Sequence, residues 1–354
     1  MNDRIRPAVA AMQAYVPGEQ PEGADVLKLN TNENPYPPSP KVFEALGAVT
    51  ADVLRKYPHP VSAALRSGLA RLHGVAEDRV FVGNGSDEVL ALCTRAFCGT
   101  GGKAGGMDPS YSLYPILCDI AELRWIRYPL EEDFTWRVPS VLDVDLFFLT
   151  RPNAPTGMCL PLDQVRKAAD TCSGVFVVDE AYADFADDDA TALLDECPNL
   201  IISRSFSKSY SLAGLRLGYA LGAPDLIAAL YKIKDSYNVD ALAQRMGLAA
   251  VEDHAWMCTN VTAVRGTRAS TRKLLEARGF SVLPSEANFL FARVPDGYNA
   301  AELHAALKAR GVYVRYFPGP QTGVFLRITI GTDTEMAKFF AELDAVLVHD
   351  GAQH

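Results

Sequence analysis

Short apolar runs recur from Arg79 to Leu221, separated by stretches whose apolar residues follow helical spacing. Val80-Phe81-Val82, Ala104 to Met107, Leu123 to Tyr128, Asp145 to Thr150, Val175 to Asp179, Leu200 to Ser205 and Leu217 to Leu221 read as strands. Helical patterns lie between most of them, at 111–121, 161–172 and 224–235, and ahead of them at 41–55 and 61–73. Strands alternating with helices predict an α/β architecture, a mostly parallel sheet with helices on both faces. From about 239 to Arg278-Gly279 the pattern is helical for long enough to hold two helices, the second leading into another unit. Beyond it, 280–283, 288–294, 312–316 and 325–330 read as strands, and 299–310 and 333–348 as helices, which predicts a small α+β domain. Residues 1–40 contain LNTNENPYPPSP, too rich in proline for a long helix. The organisation expected is an N-terminal arm (1–40), a large domain (41–260) and a small C-terminal domain (261–354). No repeat or low-complexity segment interrupts it.

Composition narrows the function classes. The chain has 354 residues and a formal net charge of −9, which argues against nucleic-acid and anionic-membrane surfaces. The 7 cysteines form no C-x-x-C pair and the 6 histidines no H-E-x-x-H, so reduced thiols and no metal site are expected. No apolar run reaches the length of a membrane span, and the charges at Asp3, Arg4 and Arg6 do not fit a signal peptide. A cytoplasmic protein is the expectation.

The chemistry concentrates where open parallel sheets bind ligands, at the carboxyl ends of the strands. Gly83-Asn84-Gly85-Ser86-Asp87 opens a helix after the first strand, where free backbone amides suit a phosphate. Tyr111 follows the second strand. Asn153 sits in RPNAPTG after Thr150. Asp179 ends its strand, with Tyr182 one turn on. SFSKSYSLAGLRLGY, Ser205 to Tyr219, places Lys208 among hydroxyls with Arg216 nearby. Each also has an ordinary reading: a helix cap at Asp179, a turn at Asn153, a capped loop at Gly83–Asp87, a packed aromatic at Tyr111, a solvated lysine at 208. Together they are complementary. A lysine amine that is held and partly desolvated forms a Schiff base with an aldehyde. Pyridoxal 5′-phosphate (PLP) needs that lysine, a carboxylate on its ring nitrogen, donors on its ring oxygen, a stacking aromatic and a phosphate cup. GTGGKAGG at 99–106 is no P-loop, because Phe97 and Ala104 occupy the glycine and hydroxyl positions. It reads as a solvated turn before a strand.

GNGSDE, RPNAPTG, VVDEAYADF and SFSKSYSLAGLRLGY occur in this order along nearly the whole chain. With them the sequence resembles the fold-type-I PLP-dependent aminotransferases. The resemblance implies that Lys208 holds the cofactor and shuttles the proton between Cα and C4′. It implies that Asp179 pairs with the pyridine nitrogen, that Asn153 and Tyr182 hold the ring oxygen, and that Tyr111 stacks on the ring. Gly85, Ser86, Asp87, Ser205, Ser207 and Arg216 would form the phosphate cup. Tyr57, in RKYPHP, would reach the cofactor phosphate of a partner subunit, making the active unit a homodimer. Ala154 stands where many relatives carry a second asparagine. The arginine of LRITIGT, Arg327, corresponds to the substrate-anion arginine, and Arg315 is a second candidate on a neighbouring strand. Two arginines suit a phosphate ester better than a carboxylate, so the donor implied is histidinol phosphate with 2-oxoglutarate as acceptor. Tyr15, Asn32 and Tyr36 would line the mouth. Three alternatives stay open: an aromatic amino acid aminotransferase, a phosphothreonine decarboxylase and a non-catalytic PLP-binding protein.

Overall fold

The computed structural model describes residues 4–23 and 25–350. The extreme ends of the expected arm and C-terminal domain, 1–3 and 351–354, lie outside the described residues with Ala24. The strands in chain order are β1 (Leu27–Lys28), β2 (Val80–Gly83), β3 (Lys103–Asp108), β4 (Arg124–Pro129), β5 (Leu146–Thr150), β6 (Val175–Asp179) and β7 (Leu200–Ser205). They continue with β8 (Gly218–Gly222), β9 (Ser281–Val282), β10 (Phe289–Arg293), β11 (Val312–Tyr313), β12 (Arg315–Tyr316) and β13 (Phe325–Thr329).

The large sheet has the order β2-β8-β7-β6-β5-β3-β4, and only β8 runs antiparallel to its neighbours. Apart from the edge strand β4, its strands are buried on both faces, and alternate residues enter different cores. Phe147, Leu149, Phe176, Val178, Leu200 and Ile202 pack on one side, while Leu146, Phe148, Val177 and Ile201 pack on the other. That is why these strands read as continuous apolar runs. The turn expected at 99–106 extends only to Gly102. Gly105 and Gly106 lie buried inside β3, where an added Cβ would meet the Tyr128 ring at 2.8 Å and the Trp125 ring at 2.6 Å. Aromatic side chains of β4 occupy the space that those glycines leave.

The helix expected over 41–55 is two, Pro40–Gly47 and Ala51–Leu54, because Thr50 is extended between them. The helical stretch after 239 is two, as expected: Ala241–Glu252 and His254–Glu276. The second runs through the boundary expected at 260/261, so the two units share a continuous helix. The strand expected over 312–316 divides into β11 and β12. The small sheet is antiparallel in the order β12-β13-β10-β9.

The arm is not separate from these units. β1 pairs in parallel with β11, and Thr329 N–H donates to Leu29 O at 3.0 Å. Further on, Asn34 Nδ2 donates to the carbonyls of Lys208 and Ser209, each at 3.1 Å. The arm therefore bridges the small sheet and the Lys208 loop.

Candidate active site

Parallel pairing sets Thr150 of β5 beside Asp179 of β6, and Asp179 beside Ser203 of β7. The loops leaving these strands converge on one cavity of about 300 Å³. Its wall includes Ser86, Asp87, Tyr111, Asp179, Tyr182, Ser205, Ser207, Lys208 and Arg216 on the large-sheet side, with Tyr15, Asn32, Arg315 and Arg327 opposite. Residues up to 312 positions apart in sequence thus share one chamber, and most of the expected site residues lie on it.

At one end is an anion cradle. The helix Ser86–Phe97 begins at Gly85, whose φ of 83° favours glycine, and no side chain caps it. The first amides are therefore free, at the positive end of the helix dipole. Gly218 lets this helix approach β8, since a Cβ there would lie 2.4 Å from Ser86 N. Arg216 closes the cradle, donating to Asp87 Oδ2 at 3.2 Å and to Ser207 Oγ at 3.4 Å.

At the floor is Asp179. It accepts from Tyr114 Oη at 2.9 Å and from Ala181 N–H at 3.3 Å. No lysine, arginine or histidine pairs with it among the described residues. Burial pushes its carboxyl up to about 6 against the pull of those donors. A buried carboxylate without a cation fits a ligand that brings a protonated nitrogen. Tyr114 is a site residue that the sequence reading missed. It lies three positions after Tyr111, the helical spacing that signals a shared face, and the two rings meet edge-on at 5.5 Å.

Lys208 projects from the loop after β7. Its Nζ donates to Thr31 O at 3.0 Å and lies 5.9 Å from the Tyr182 ring centroid. Burial, with the positive charge of Arg327, brings its ammonium down to about 8. A substantial neutral fraction therefore exists near neutral pH, as attack on an aldehyde requires.

Behind the wall lies a buried ionic group that the sequence reading also missed. Arg204 meets Glu180 at 2.8 Å, Asp184 at 3.1 Å and Asp189 at 3.0 Å, and Arg151 meets Glu180 at 3.5 Å. Asp184 also accepts from Ser209 Oγ. These contacts fix the backbone beside Asp179, Tyr182 and Lys208.

Two expected residues, Asn153 and Tyr36, are placed differently. Asn153 is buried off the cavity wall, donating to Pro109 O at 3.3 Å and Thr156 Oγ1 at 3.1 Å and accepting from Ser110 Oγ at 3.1 Å. Tyr36 does not line the mouth. Its N–H is held by Asn34 Oδ1 at 3.0 Å in a local turn, and its side chain packs on the core. Asn32 lies on the wall, but its amide donates to Tyr182 Oη at 2.9 Å. Tyr57 is away from the cavity, 80% exposed and stacked on Tyr237 at 4.5 Å.

A desolvated lysine, an uncompensated acid and a helix-start anion cradle, all at the ends of one parallel sheet, fit the chamber of a PLP enzyme. The chain belongs to the aminotransferase class I and II family, whose model matches residues 24–343. It is 46% identical over 350 residues to histidinol-phosphate aminotransferase 2 of Rhizobium meliloti (strain 1021), covering 96% of this chain and 98% of that protein. It is 44% identical over 346 residues to histidinol-phosphate aminotransferase of Acetobacter pasteurianus, covering 96% and 97%. The fold superposes with a TM-score of 0.85 on the crystal structure of histidinol-phosphate aminotransferase from Sinorhizobium meliloti in complex with pyridoxal-5′-phosphate. That match has 24% identity and covers 99% of this chain and 98% of the other. No helix among the described residues is long and apolar enough to cross a membrane, and no cluster of metal-ligating side chains occurs among them.

Proposed function

We propose that this chain is a cytoplasmic PLP-dependent aminotransferase that moves the amino group of histidinol phosphate to 2-oxoglutarate, giving imidazole acetol phosphate and glutamate. The observation that carries the choice of donor is the pairing of two arginines. Arg315 on β12 and Arg327 on β13 stand directly opposite in the antiparallel register. Like charges so placed repel. Burial and the charge of Arg315 together hold the Arg327 guanidinium below its usual range. Its buried Nε has no partner among the described residues. A dianionic phosphate ester relieves that repulsion more fully than a carboxylate.

Bound PLP supplies the electron sink that makes the donor's Cα proton acidic. The chain's own groups do the rest. Asp179 keeps a ring nitrogen protonated, and Tyr182 places a phenol donor on the cavity wall. Lys208 would hold the cofactor's aldehyde, and its Nζ would take up the proton that the donor Cα gives up. The cradle of Ser86, Asp87, Ser205, Ser207 and Arg216 holds the cofactor phosphate, and Tyr111 covers the ring. Asn153 acts from behind Ser110 and supports this wall.

The active unit in this reading is a homodimer. Phe43, Leu46, Leu54, Tyr57 and Tyr237 leave large apolar side chains exposed. A second copy covers them, and Tyr57 reaches the partner's cofactor phosphate. Mixing Lys208→Ala and Tyr57→Ala subunits should restore part of the activity that each lacks alone. No restoration in a verified mixed dimer contradicts the shared site.

The substrate is tested by reconstituting the protein with PLP and adding histidinol phosphate, phenylalanine or phosphothreonine. Loss of the cofactor's visible absorbance with histidinol phosphate is the expected result. Faster loss with phenylalanine, or carbon dioxide release from phosphothreonine, overturns the donor assignment.

A further inference from the structure

Three successive residues of the arm each hold one functional side chain of the cavity. Asn30 O accepts from Arg327 Nη2 at 2.8 Å, Thr31 O accepts from Lys208 Nζ at 3.0 Å, and Asn32 Nδ2 donates to Tyr182 Oη at 2.9 Å. Asn32 is the most tightly specified of the three. It is 1% exposed and has a φ of 58°, a left-handed conformation that asparagine tolerates better than most residues. Its N–H donates to Thr329 Oγ1 at 3.1 Å and its carbonyl accepts from Asn288 Nδ2 at 2.9 Å. Thr329 Oγ1 donates in turn to Asn32 Oδ1 at 2.9 Å. Because the threonine oxygen already accepts the backbone N–H, its single proton goes to Oδ1. The amide is thereby oriented with Nδ2 toward Tyr182.

We propose that Asn32, held by Thr329, is a positioning residue that sets the direction of the Tyr182 proton. A phenol has one proton to donate. With Asn32 donating to its oxygen, Tyr182 directs that proton into the cavity, toward the ring oxygen of the bound cofactor. The device crosses the boundary between the units, since Tyr182 follows β6 while Thr329 lies on β13, on the same face as Arg327. The strand that receives the substrate anion is thus the strand that orients the phenol. The charged groups around Tyr182 are Arg327, Asp179, Asp87 and Lys208, and none of them fixes the phenol proton as the amide does.

The inference rests on PLP binding beside Tyr182, and the test separates the two. The visible absorbance of the PLP-loaded protein is titrated with pH for wild type, Asn32→Asp, Asn32→Ala and Thr329→Val. Asn32→Asp keeps the shape but replaces the donor with an acceptor, drawing the phenol proton away from the cavity. Its spectral midpoint should rise by about one pH unit, with kcat down about tenfold and KM little changed. Asn32→Ala and Thr329→Val should shift the midpoint in the same direction by less. A wild-type protein that develops no visible absorbance with PLP removes the functional reading itself. A normal wild-type titration with an unmoved midpoint in Asn32→Asp, whatever its melting temperature, overturns the positioning role.

Discussion

The two ends of the cavity are built differently. The end that holds Lys208, Asp179 and the anion cradle stands on the ends of adjacent strands in one sheet. Its shape follows from backbone pairing, such as Thr150 beside Asp179, and from the ionic group around Arg204 and Glu180 beneath it. The end that holds Tyr15, Arg315 and Arg327 is assembled from the arm and the small sheet. There the pairing of β13 with β10 and β12 sets the arginines, a two-residue pairing of β1 with β11 docks the arm, and Asn30 O holds Arg327. The rigid end fits a cofactor that stays through every turnover. The composite end fits substrates that enter and leave, and it is where specificity can change without disturbing the chemistry.

Substitutions at the two ends should therefore fail in different ways. Lys208→Ala should lower kcat by about 10⁴-fold or more while the fold and the donor affinity persist. Circular dichroism and donor-binding titration check the second part, and near-wild-type turnover would break the distinction. Arg327→Ala should raise KM for both substrates by about 30- to 100-fold, with a smaller change in kcat. Arg315→Ala should weaken histidinol phosphate by about tenfold and glutamate by less, because only the phosphate needs both guanidinium groups. Equal losses for the two substrates would remove the division of labour between the arginines.

The cofactor end should also carry a pH signature. In the cofactor-free protein Asp179 titrates near 6, above its ordinary value, so it gains a proton as pH falls through that point. The proton removes the charge that pairs with a protonated ring nitrogen, and PLP affinity should fall below about pH 6. Lys208 titrates near 8, below its ordinary value, so the rate of PLP capture should rise as pH increases through that point. Fluorescence titration and stopped-flow absorbance measure the two. The smallest effect is expected from Tyr114→Phe, which removes one donor to Asp179 and should raise the midpoint of the affinity profile by about one pH unit, with about a twofold loss of affinity at pH 7.

The same contrast explains what the sequence made legible. Lys208, Asp179, Ser86 and Arg216 could be read because each follows an apolar run that predicts a strand, and strand ends in parallel sheets converge. Arg327 and Arg315 were readable as candidates, but their face-to-face register depends on β12 and β13 pairing, which no local pattern fixes. Asn32 was assigned to the mouth because its tie to Tyr182 spans 150 positions. Tyr114 was hidden inside an ordinary apolar helix. The ionic group of Arg151, Glu180 and Arg204 was hidden because charged residues at strand ends usually face solvent. The boundary expected at 260/261 falls within the helix His254–Glu276, and a continuous helix carries no sequence break where it passes from one unit to the next.

In the proposed reading the paired arginines direct a PLP site on the sheet to a phosphate-bearing donor. Single-turnover absorbance with histidinol phosphate and with histidinol, which differ only in that phosphate, tests it most directly. The phosphate ester should react with a second-order rate constant about 10²-fold or more above histidinol, and Arg315→Ala should narrow the gap. Equal rate constants for the two amines in the wild-type protein would contradict it.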